Sequence, residues 1–415
     1  MTRPTFIDCN GLAGFMSYGC VTAGMDMVLR TGTLNFGAPV VDANSDHFGK
    51  GGWFSEFSSE PSDWPRAKAD AVIGCPPCSG WSVWSGAANR GPDAKAHEHT
   101  RAFMRYAAAV KPKIIVFECV QQAYTQGRET MVKYRDMVEE LSGRKYDLHH
   151  VMHNNLQLGG FSYRPRYFWV ATQRGVKFGA SVVEPKTMPL IGDIIGDLEN
   201  LPLSWGEQKL TSKPSQYVRS LRRQDKKVDG HIGVTGIHQQ RIKEIFDVVG
   251  NDGWQQREIL QEALKRAVTK NRGKFPPSWA NKAANISRRD FVLGYSQPGR
   301  WASDSWCNVL TGGALLHVVH PTQPRLLTHR ECARIQGLPD SWRIEAVRDY
   351  SQLGATWGKA VAAQAGRWIG ETVVGALAGQ PTGESAEKIG DREYMHHMDK
   401  GFSRVAARRR WYTDR

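Results

Sequence analysis

The chain has 415 residues, of which 40% are hydrophobic and 23% are charged, a composition that excludes an intrinsically disordered protein. Lys and Arg outnumber Asp and Glu by 55 to 41, and the resulting net charge of +14 favours a polyanionic partner. The sequence has no run of about eighteen apolar residues, so no membrane-spanning helix is predicted. The first ten residues lack the apolar segment of a secretory signal. Seven scattered cysteines do not resemble a disulfide framework, which favours a reducing, cytoplasmic location.

Short apolar runs in residues 1–175 predict an alternation of strands and helices. Buried strands are expected at 6–9, 39–43, 70–74, 113–119, 147–152 and 166–172. Apolar residues at helical spacing predict helices at 98–110 and 128–141. This alternation is typical of an α/β fold with a mostly parallel sheet, in which ligands bind beyond the carboxyl ends of the strands.

A strongly basic stretch follows the alternating part of the chain. Residues 209–300 contain 19 Lys or Arg against 8 Asp or Glu, a net charge of +11, and one helix is predicted at 238–268. These charges fit either a solvated basic face or a surface that contacts phosphates. Interleaved aromatic residues, together with Arg288 and Arg289, favour phosphate contacts. We therefore expect a separate module at 185–317.

Regular elements are predicted again after the basic module. The Thr328/Glu331 pair and its apolar neighbours predict a capped helix at 326–337, and a second apolar helix is expected at about 360–378. The last residues are polar and contain three consecutive arginines, which indicates a tail. The expected organisation is a first domain, an inserted module, a return to the first domain and a tail, at 1–184, 185–317, 318–380 and 381–415.

The segment GCPPCSGWS at 74–82 directly follows a predicted strand. Two prolines fix the backbone ahead of Cys78 and hold its thiol at the edge of the sheet where a substrate would bind. Cys75 and Cys78 also form a CxxC pair, so a metal site, a redox pair or a buried structural cysteine are alternatives. Zinc is not expected, because no second CxxC or Cys/His pair stands at ligand spacing.

Charged residues mark the ends of two further predicted strands. Glu118 closes an apolar strand, where a carboxylate is costly unless it is paired or used. Arg164 and Arg166 alternate into another strand and therefore share one face. One cysteine, one glutamate and two arginines suit covalent attack on a heterocycle, in which the thiolate adds to carbon and the carboxylate handles a ring nitrogen proton. The guanidinium groups would hold a carbonyl and a phosphate.

Six motifs, in order, resemble those of the DNA (cytosine-5) methyltransferase family over roughly 1–175 and 318–375. FIDCNGLAGF resembles the glycine-rich first motif, GCPPCSGWS the nucleophile motif, FECV the Glu-Asn-Val motif and SYRPR the Gln-x-Arg-x-Arg motif. HPTQPRLLTHRECARIQGLPD at 320–340 is similar to the segment that follows the family's target-recognition domain, and this match is the most specific. GKAV at 358–361 stands where the family has Gly-Asn-x-Val.

The resemblance implies an α/β fold, in which a Rossmann-like, mostly parallel sheet forms the catalytic domain and a smaller target-recognition domain is inserted. It implies S-adenosylmethionine as cofactor, with no metal, and a pocket to which both ends of the chain contribute. The implied substrate is double-stranded DNA in the cleft between the domains, with the target cytosine flipped out of the stack. We expect a monomeric, cytoplasmic enzyme encoded by a bacterium or a phage.

The resemblance also implies roles for individual residues. Cys78 would attack carbon 6 of the cytosine, Glu118 would bind ring nitrogen N3 and the exocyclic amine, and Arg166 would bind the carbonyl. The expected contacts to DNA come from Ser82, Arg164, Arg288 and Arg289, with Arg164 on the flanking phosphate. The expected cofactor residues are Asp8, Gly11, Gly14, Phe15, Asp42, Pro77, Lys359, Ala360 and Val361. Among them, Asp42 is predicted to end the second strand and to bind the ribose hydroxyls.

Four positions depart from the family pattern. Cys119 replaces the Asn after Glu118, and Ser162 replaces the Gln before the first arginine. The loop after Asp8 is one residue shorter and lacks the aromatic residue that packs against the cofactor in the family. Lys359 replaces the asparagine of Gly-Asn-x-Val, near the methionine part of the cofactor.

Lys359 permits three interpretations, because a lysine about 4–6 Å from the sulfonium of S-adenosylmethionine would repel it by about 1–4 kcal/mol. The side chain points into solvent, or burial makes its amine neutral, or the cofactor carries an additional negative charge. In the third case, carboxy-S-adenosylmethionine would pair with the ammonium, and a carboxymethyl group would be transferred instead of a methyl group.

Two further functions remain as alternatives to DNA modification. One is a sequence-specific DNA-binding protein whose catalytic fold is vestigial, which the three replacements Cys119, Ser162 and Lys359 favour and an intact Cys78 opposes. The other is the tRNA-modifying branch of the same family, for which a shorter insert is expected.

Overall fold

The computed structural model describes residues within two stretches of the chain, 2–198 and 299–383, with gaps in both. The described residues are 2–33, 37–49, 55–57, 61–82, 85, 87–180, 190–198, 299–300, 307–310, 318–323, 325–343 and 356–383. Contacts between Cα atoms divide the chain into one unit of Met1–Met188 with Lys359–Lys400 and a second of Pro189–Gly358 with Gly401–Arg415. The helix predicted at 238–268, most of the basic module and nearly all of the tail lie outside the described residues, so the predicted domain limits stay a prediction.

A seven-stranded sheet forms the centre of the first unit, with strand order β3-β2-β1-β4-β5-β8-β6. Its strands are β1 Thr5–Cys9, β2 Asp26–Gly32, β3 Ser55–Phe57, β4 Ala71–Gly74, β5 Ile114–Cys119, β6 Tyr146–Asn154 and β8 Pro165–Gln173. Only β8 in this sheet runs antiparallel to its neighbours, β5 and β6. Shorter strands are β7 Ser162–Tyr163, β9 Gly299–Arg300, β10 Cys307–Asn308 and β11 Val318–Val319. The predicted α/β fold with a mostly parallel sheet is confirmed.

The described helices are α1 Phe15–Thr22, α2 Ala38–Ala43, α3 His97–Val110, α4 Gln122–Thr125, α5 Arg128–Ser142, α6 Ile191–Ile195, α7 His329–Ile335 and α8 Ala363–Leu377. The helices predicted at 98–110, 128–141 and 360–378 are confirmed to within a few residues. The capped helix is also confirmed, because Thr328 and Glu331 form the expected reciprocal hydrogen bonds at the start of α7. None of the described helices is long and apolar enough to cross a membrane.

The core of the first unit packs α3 and α5 against one face of the sheet. Strand residues such as Ile7, Ile115 and Trp169 are fully buried there against Phe103 of α3 and Val138 of α5. The strands read as continuous apolar runs because a parallel sheet inside an α/β fold is covered on both faces.

The strand predicted at 39–43 is wrong, and the true second strand was missed. Residues Ala38–Ala43 form α2, with Gly37 in a left-handed conformation as its N-cap and Pro39 in the first turn, where proline is well tolerated. The second strand is β2, whose apolar residues include Met27 and Leu29. A short apolar run cannot distinguish a strand from a buried helix by its periodicity, and here the glycine and proline at its start decide for the helix.

Helices α1 and α8 pack against each other with almost no side chain between them. A Cβ atom on Gly19 would overlap the Ala363 carbonyl oxygen, and one on Gly366 would overlap the Met16 carbonyl oxygen. The Cys20 thiol donates a hydrogen bond to the Gly366 carbonyl at 3.3 Å. The start of α8 is thereby placed beside α1, the helix that follows β1.

We expect Gly366→Ala to destabilise the protein by about 1–3 kcal/mol, because the methyl group meets backbone that cannot rotate away. Gly196→Ala is the matched control: Gly196 has helical dihedral angles, and a Cβ atom there meets nothing within 4 Å. Its effect should lie between none and a gain of about 1 kcal/mol. Urea unfolding followed by circular dichroism measures both, and equal effects would contradict the close helix contact.

Candidate active site

The nucleophile candidate and its glutamate lie at the same edge of the sheet. Gly74, the last residue of β4, pairs with Phe117 of β5, so the segment leaving β4 and the end of β5 are adjacent. Cys78 is half-buried in that segment. Its carbonyl accepts hydrogen bonds from the Trp81 and Ser82 amides at 3.0 and 3.1 Å, which close a turn directly after the thiol.

Trp81 packs beneath this turn and holds it in place, a role that was not predicted from the sequence. Its side chain is buried, and its ring lies 4.6 Å from the ring of His97, the first residue of α3. The imidazole of His97 in turn contacts the Gly91 carbonyl at 2.8 Å. The segment that carries Cys78 is therefore held at one end by β4 and at the other end by the packing of Trp81. This reduces the conformational freedom of the thiol.

Glu118 is buried and ion-paired with Arg166. The Glu118 Oε1 to Arg166 Nε distance is 2.7 Å, with the carboxylate side chain 3% and the guanidinium side chain 18% exposed. Strand β8 runs antiparallel to β5, so its beginning meets the end of β5, and Glu118 pairs in register with Phe168. Arg166 stands two residues before Phe168 and so projects on the same face. The two predicted site residues are brought together by strand direction.

Arg164 is buried immediately before β8. Its amide donates to Asn154 Oδ1 at 3.0 Å, and its carbonyl accepts from the Asn155 amide at 3.0 Å. Burial, then the neighbouring Arg166, lowers the pKa of Arg164 to about 10, against the attraction of Glu118. Asn154 and Asn155 thus hold the arginine segment by its backbone, a positioning role for which the sequence shows only a turn-forming Asn pair.

Cys75, the other cysteine of the CxxC pair, is buried and donates a hydrogen bond from Sγ to Glu118 Oε2 at 3.5 Å. Burial, reinforced by the negative charge of Glu118, raises the pKa of the Cys75 thiol well above its usual range. Cys75 therefore serves the carboxylate as a neutral donor. No group of three or more potential metal ligands occurs among the residues described.

The two replacements in these motifs are also placed. Cys119 is buried at the end of β5, and Ser162 Oγ lies 3.3 Å from Asn155 Nδ2. Ser162 thus keeps a hydrogen bond to the turn that holds the arginine segment. Neither replacement separates Glu118 from Arg166.

Charged neighbours shift the pKa of the Cys78 thiol in opposite directions. Burial, followed by the Glu118 carboxylate, raises the pKa of the thiol, while Arg166 and Arg164 act to lower it. In the free protein the neutral thiol is therefore favoured near pH 7. A half-buried thiol beside a carboxyl group and two guanidinium groups can attack an electron-poor carbon, with the cations stabilising the thiolate that forms.

The first-motif loop joins β1 to α1 and is built around a buried ion pair. Asp8 Oδ2 lies 3.3 Å from Arg30 Nε, and both side chains are almost completely buried. Burial raises the pKa of Asp8 despite the attraction of Arg30. A Cβ atom on Gly11 would overlap the Asp8 carboxylate, and Gly14 has a φ of +78°, so both positions require glycine. Phe15, which follows, is buried.

The remaining predicted site residues differ from one another in their exposure to solvent. Pro77 and Ser82 are half-buried on either side of Cys78. Ala360 and Val361 are buried in front of α8, whereas the Lys359 side chain is exposed. For Asp42 the predicted element is corrected, because the residue is exposed on α2 and does not end a strand; its contact to the ribose stays a prediction. The two remaining residues, Arg288 and Arg289, lie outside the described residues.

The α/β sheet presents a cysteine, a glutamate and two arginines at one edge, an arrangement suited to covalent catalysis on an electron-poor ring. The family model for C-5 cytosine-specific DNA methylases matches residues 53–375, and the chain therefore belongs to that family.

Individual relatives agree with this assignment. Type II methyltransferase M.XorII of Xanthomonas oryzae pv. oryzae is 25% identical over 417 residues, which cover 92% of this chain and 87% of the relative. Type II methyltransferase M.DdeI of Desulfomicrobium norvegicum is 22% identical over 289 residues, covering 67% and 65% of the two chains.

Solved structures share the fold at lower identity. A protein of an E. coli prophage, described as a DNA modification methyltransferase, has a TM-score of 0.57 and 19% identity, covering 90% of this chain and 99% of its own. The Entamoeba histolytica methyltransferase EhMeth has a TM-score of 0.55 and 10% identity, with coverages of 91% and 99%.

Proposed function

We propose that this protein transfers a methyl group from S-adenosylmethionine to carbon 5 of cytosine in double-stranded DNA, through a covalent adduct with Cys78. The observation that carries the proposal is the cluster of Cys78, Glu118 and Arg166 at one edge of the sheet. The match to the family of C-5 cytosine-specific DNA methylases supports DNA as substrate. A bacterial or phage-encoded, cytoplasmic monomer remains the proposed context, with 185–317 as the target-recognition domain.

The protein residues divide the chemistry between them. The Cys78 thiol loses its proton to solvent, and the thiolate then bonds to carbon 6 of the flipped cytosine. The electron pair of the carbon 5–carbon 6 double bond shifts towards carbon 5 and the ring, which makes carbon 5 nucleophilic. Glu118 hydrogen-bonds N3 and the exocyclic amine, and Arg166 binds the carbonyl, so that charge developing on the ring is stabilised. Arg164 and Ser82 contact the flanking DNA. After the new carbon–carbon bond has formed, loss of the carbon 5 proton to a base expels the Cys78 thiolate.

One observation in the loop between β1 and α1 supports a cofactor site there. Among the residues that the structure describes, the buried Asn10 Nδ2 is a donor without a hydrogen-bond partner, which is costly unless a ligand supplies an acceptor. We propose that this loop, with Asp8, Gly11, Gly14 and Phe15, holds the cofactor together with Pro77, Ala360 and Val361. When bound, S-adenosylmethionine supplies an electrophilic methyl carbon on a sulfonium.

Lys359 was the reason to consider a carboxymethyl group as an alternative product. Its side chain is exposed, as the interpretation of a solvated lysine predicts, and water screens its charge. We therefore propose that the protein transfers a methyl group. Transfer of a carboxymethyl group from carboxy-S-adenosylmethionine would contradict this proposal. A vestigial DNA-binding protein is not favoured, because the cysteine, the glutamate and both arginines are present and assembled.

Mass spectrometry of nucleosides from the DNA of expressing cells tests the proposal. We expect 5-methylcytosine in cells that express the wild-type protein and none above background with Cys78→Ser. Cells should be grown with and without the capacity to make carboxy-S-adenosylmethionine. Detection of 5-carboxymethylcytosine, in amounts reduced by Lys359→Asn, would overturn methyl transfer as the physiological reaction. Unmodified cytosine in DNA, with modified cytosine in tRNA, would assign the protein to the tRNA-modifying branch.

A further inference from the structure

The carboxyl end of β2 lacks the acidic residue that commonly binds ribose hydroxyls in nucleotide-binding α/β sheets. Strand β2 ends at Gly32 and is followed by Thr33, and the sequence contains no Asp or Glu from 27 to 41. Asp42, the nearest candidate, is exposed on α2. Strand β2 itself therefore offers no carboxylate to a ribose at this edge.

A different set of polar side chains occupies the end of β2. The Thr33 amide donates to Asn10 Oδ1 at 2.9 Å, and the Thr33 hydroxyl lies 3.2 Å from the same oxygen. The Thr33 hydroxyl also lies 2.8 Å from Nδ1 of His99, in the first turn of α3. These three residues connect the first-motif loop, the end of β2 and α3 in one chain of hydrogen bonds, which we call the Asn10–Thr33–His99 chain.

The Thr33 amide identifies Asn10 Oδ1 as an acceptor, and the Thr33 hydroxyl reaches the same oxygen. In the tautomer of His99 that carries its proton on Nδ1, the hydroxyl accepts from His99 and donates to Asn10 Oδ1. Burial lowers the pKa of His99, with a smaller opposing effect of Glu98, so the imidazole is neutral near pH 7. A neutral imidazole protonated on Nδ1 carries its lone pair on Nε2. His99 thus offers an acceptor, as a carboxylate would.

The Asn10–Thr33–His99 chain leaves no room for an acidic side chain at Gly32, the last residue of β2. Gly32 has a φ of +150°, and a Cβ atom there would overlap Asn10 Oδ1. A carboxylate side chain at position 32 is therefore incompatible with the position of Asn10. On the other side of the amide, the partnerless Nδ2 of Asn10 is a buried donor adjacent to the same edge.

We propose that the Asn10–Thr33–His99 chain is the ribose-binding edge of the cofactor site, with His99 Nε2 accepting a hydrogen bond from a ribose hydroxyl in place of the missing carboxylate. This inference rests on the proposed function, because it takes S-adenosylmethionine as the ligand. The competing interpretation is that the chain only ties α3 to the sheet.

Isothermal titration calorimetry with S-adenosylhomocysteine and its 2′,3′-dideoxyribose analogue separates the two interpretations. If His99 accepts from a hydroxyl, the wild-type protein binds the dideoxy analogue roughly 5- to 150-fold more weakly, the range expected when one hydrogen bond of a buried polar group is lost. His99→Phe should bind S-adenosylhomocysteine more weakly by a similar factor and should no longer discriminate between the two ligands. Loss of discrimination is a result that a purely structural role would not produce.

His149→Phe is the matched control. His149 is a half-buried histidine that contacts a threonine hydroxyl, Thr172 Oγ1, at 3.0 Å. Thr172 pairs with Ile114, the first residue of β5, so this pair lies at the opposite edge of the sheet. His149→Phe should keep both the affinity and the discrimination of the wild-type protein.

The outcomes distinguish the inference from the proposed function on which it rests. Wild-type protein that binds S-adenosylhomocysteine, combined with a folded His99→Phe variant that still discriminates, would overturn the role of His99 alone. Equal binding of both ligands by the wild-type protein would do the same. A wild-type protein that binds neither ligand would overturn both. Thermal unfolding of each variant establishes that it is folded.

Discussion

Replacing Cys78 by serine should abolish cytosine methylation while leaving the fold and DNA binding largely intact. The serine hydroxyl is a much weaker nucleophile than a thiolate at neutral pH, so no bond to carbon 6 forms at a useful rate. Transfer of tritiated methyl groups to DNA measures turnover, and gel-shift titration measures binding. Full turnover by the serine variant would remove Cys78 from the mechanism.

A covalent trap makes this prediction specific. With S-adenosylmethionine present, DNA that contains 5-fluorocytosine should capture the wild-type protein as a stable adduct, because after transfer carbon 5 has no proton to lose and the fluorine cannot leave in its place. Cys75→Ser is the matched control: it alters the neighbouring cysteine and retains a donor for Glu118, which Cys75 contacts at 3.5 Å. We expect the adduct with Cys75→Ser and none with Cys78→Ser. The reverse pattern would assign the nucleophile to Cys75.

The pH dependence of alkylation tests the environment of Cys78 without DNA. Burial and Glu118 raise the pKa of this thiol, so the reactive thiolate accumulates only above the ordinary value of about 8.5. Labelling by iodoacetamide, followed by mass spectrometry, should therefore increase with pH and reach its midpoint above that value. Cys78 is the half-buried cysteine, whereas the other six are buried, which makes the labelling selective. Arg166→Met should raise the midpoint further, since Arg166 lowers the pKa.

Breaking the buried ion pair of the second unit should cause the largest loss of stability. Arg325 donates to both carboxylate oxygens of Glu331 at 2.7 and 2.9 Å, and both side chains are at most 2% exposed. His320 Nε2 lies 3.4 Å from the same carboxylate. Its Nδ1 accepts from the Thr322 amide, so Nε2 carries the proton and points a donor at Glu331. This network gives the 320–340 motif a structural explanation.

Glu331→Ala should therefore destabilise the protein by about 3–5 kcal/mol, because the Arg325 charge stays buried without its partner. The variant also removes one half of the capping box of α7. Glu371→Ala is the matched control, since Glu371 forms an ion pair with Arg367 at 2.8 Å in which the side chains are 48% and 65% exposed. Exposed pairs contribute at most about 1 kcal/mol. Urea unfolding compares the variants, and equal losses would contradict a dominant contribution of the buried pair.

The sequence predicted those elements whose evidence is local. The continuous apolar runs of β1, β4 and β5 have the length of buried strands, and Thr328 with Glu331 marks a helix start by side-chain chemistry alone. The sequence also predicted the segment of Cys78 and the strand end at Glu118 at the same edge of the sheet, where the ends of β4 and β5 are adjacent. Strand direction was not predictable for β8, since an apolar run has the same appearance in both directions. That direction is what brings Arg166 to Glu118.

The contacts that the sequence did not predict are those that depend on tertiary structure. Asp42 was predicted at the end of the second strand because a short apolar run was interpreted as that strand, and the residue lies on α2 instead. Asn10, Thr33 and His99 are 23 and 66 positions apart along the chain. Each is an unremarkable polar residue by itself, and only the folded sheet edge shows that they form one chain.

The contact between α1 and α8 has a consequence for how the protein forms in the cell. The hydrogen bond from Cys20 to Gly366 joins residues separated by 346 positions. A ribosome that adds about 5–20 residues per second needs roughly 17–70 s to synthesise that interval. Throughout this time the face of α1 that contains Gly19 lacks the helix that packs against it. Contacts of such long range slow folding, so nascent chains of this protein should depend on chaperones until α8 has left the ribosome.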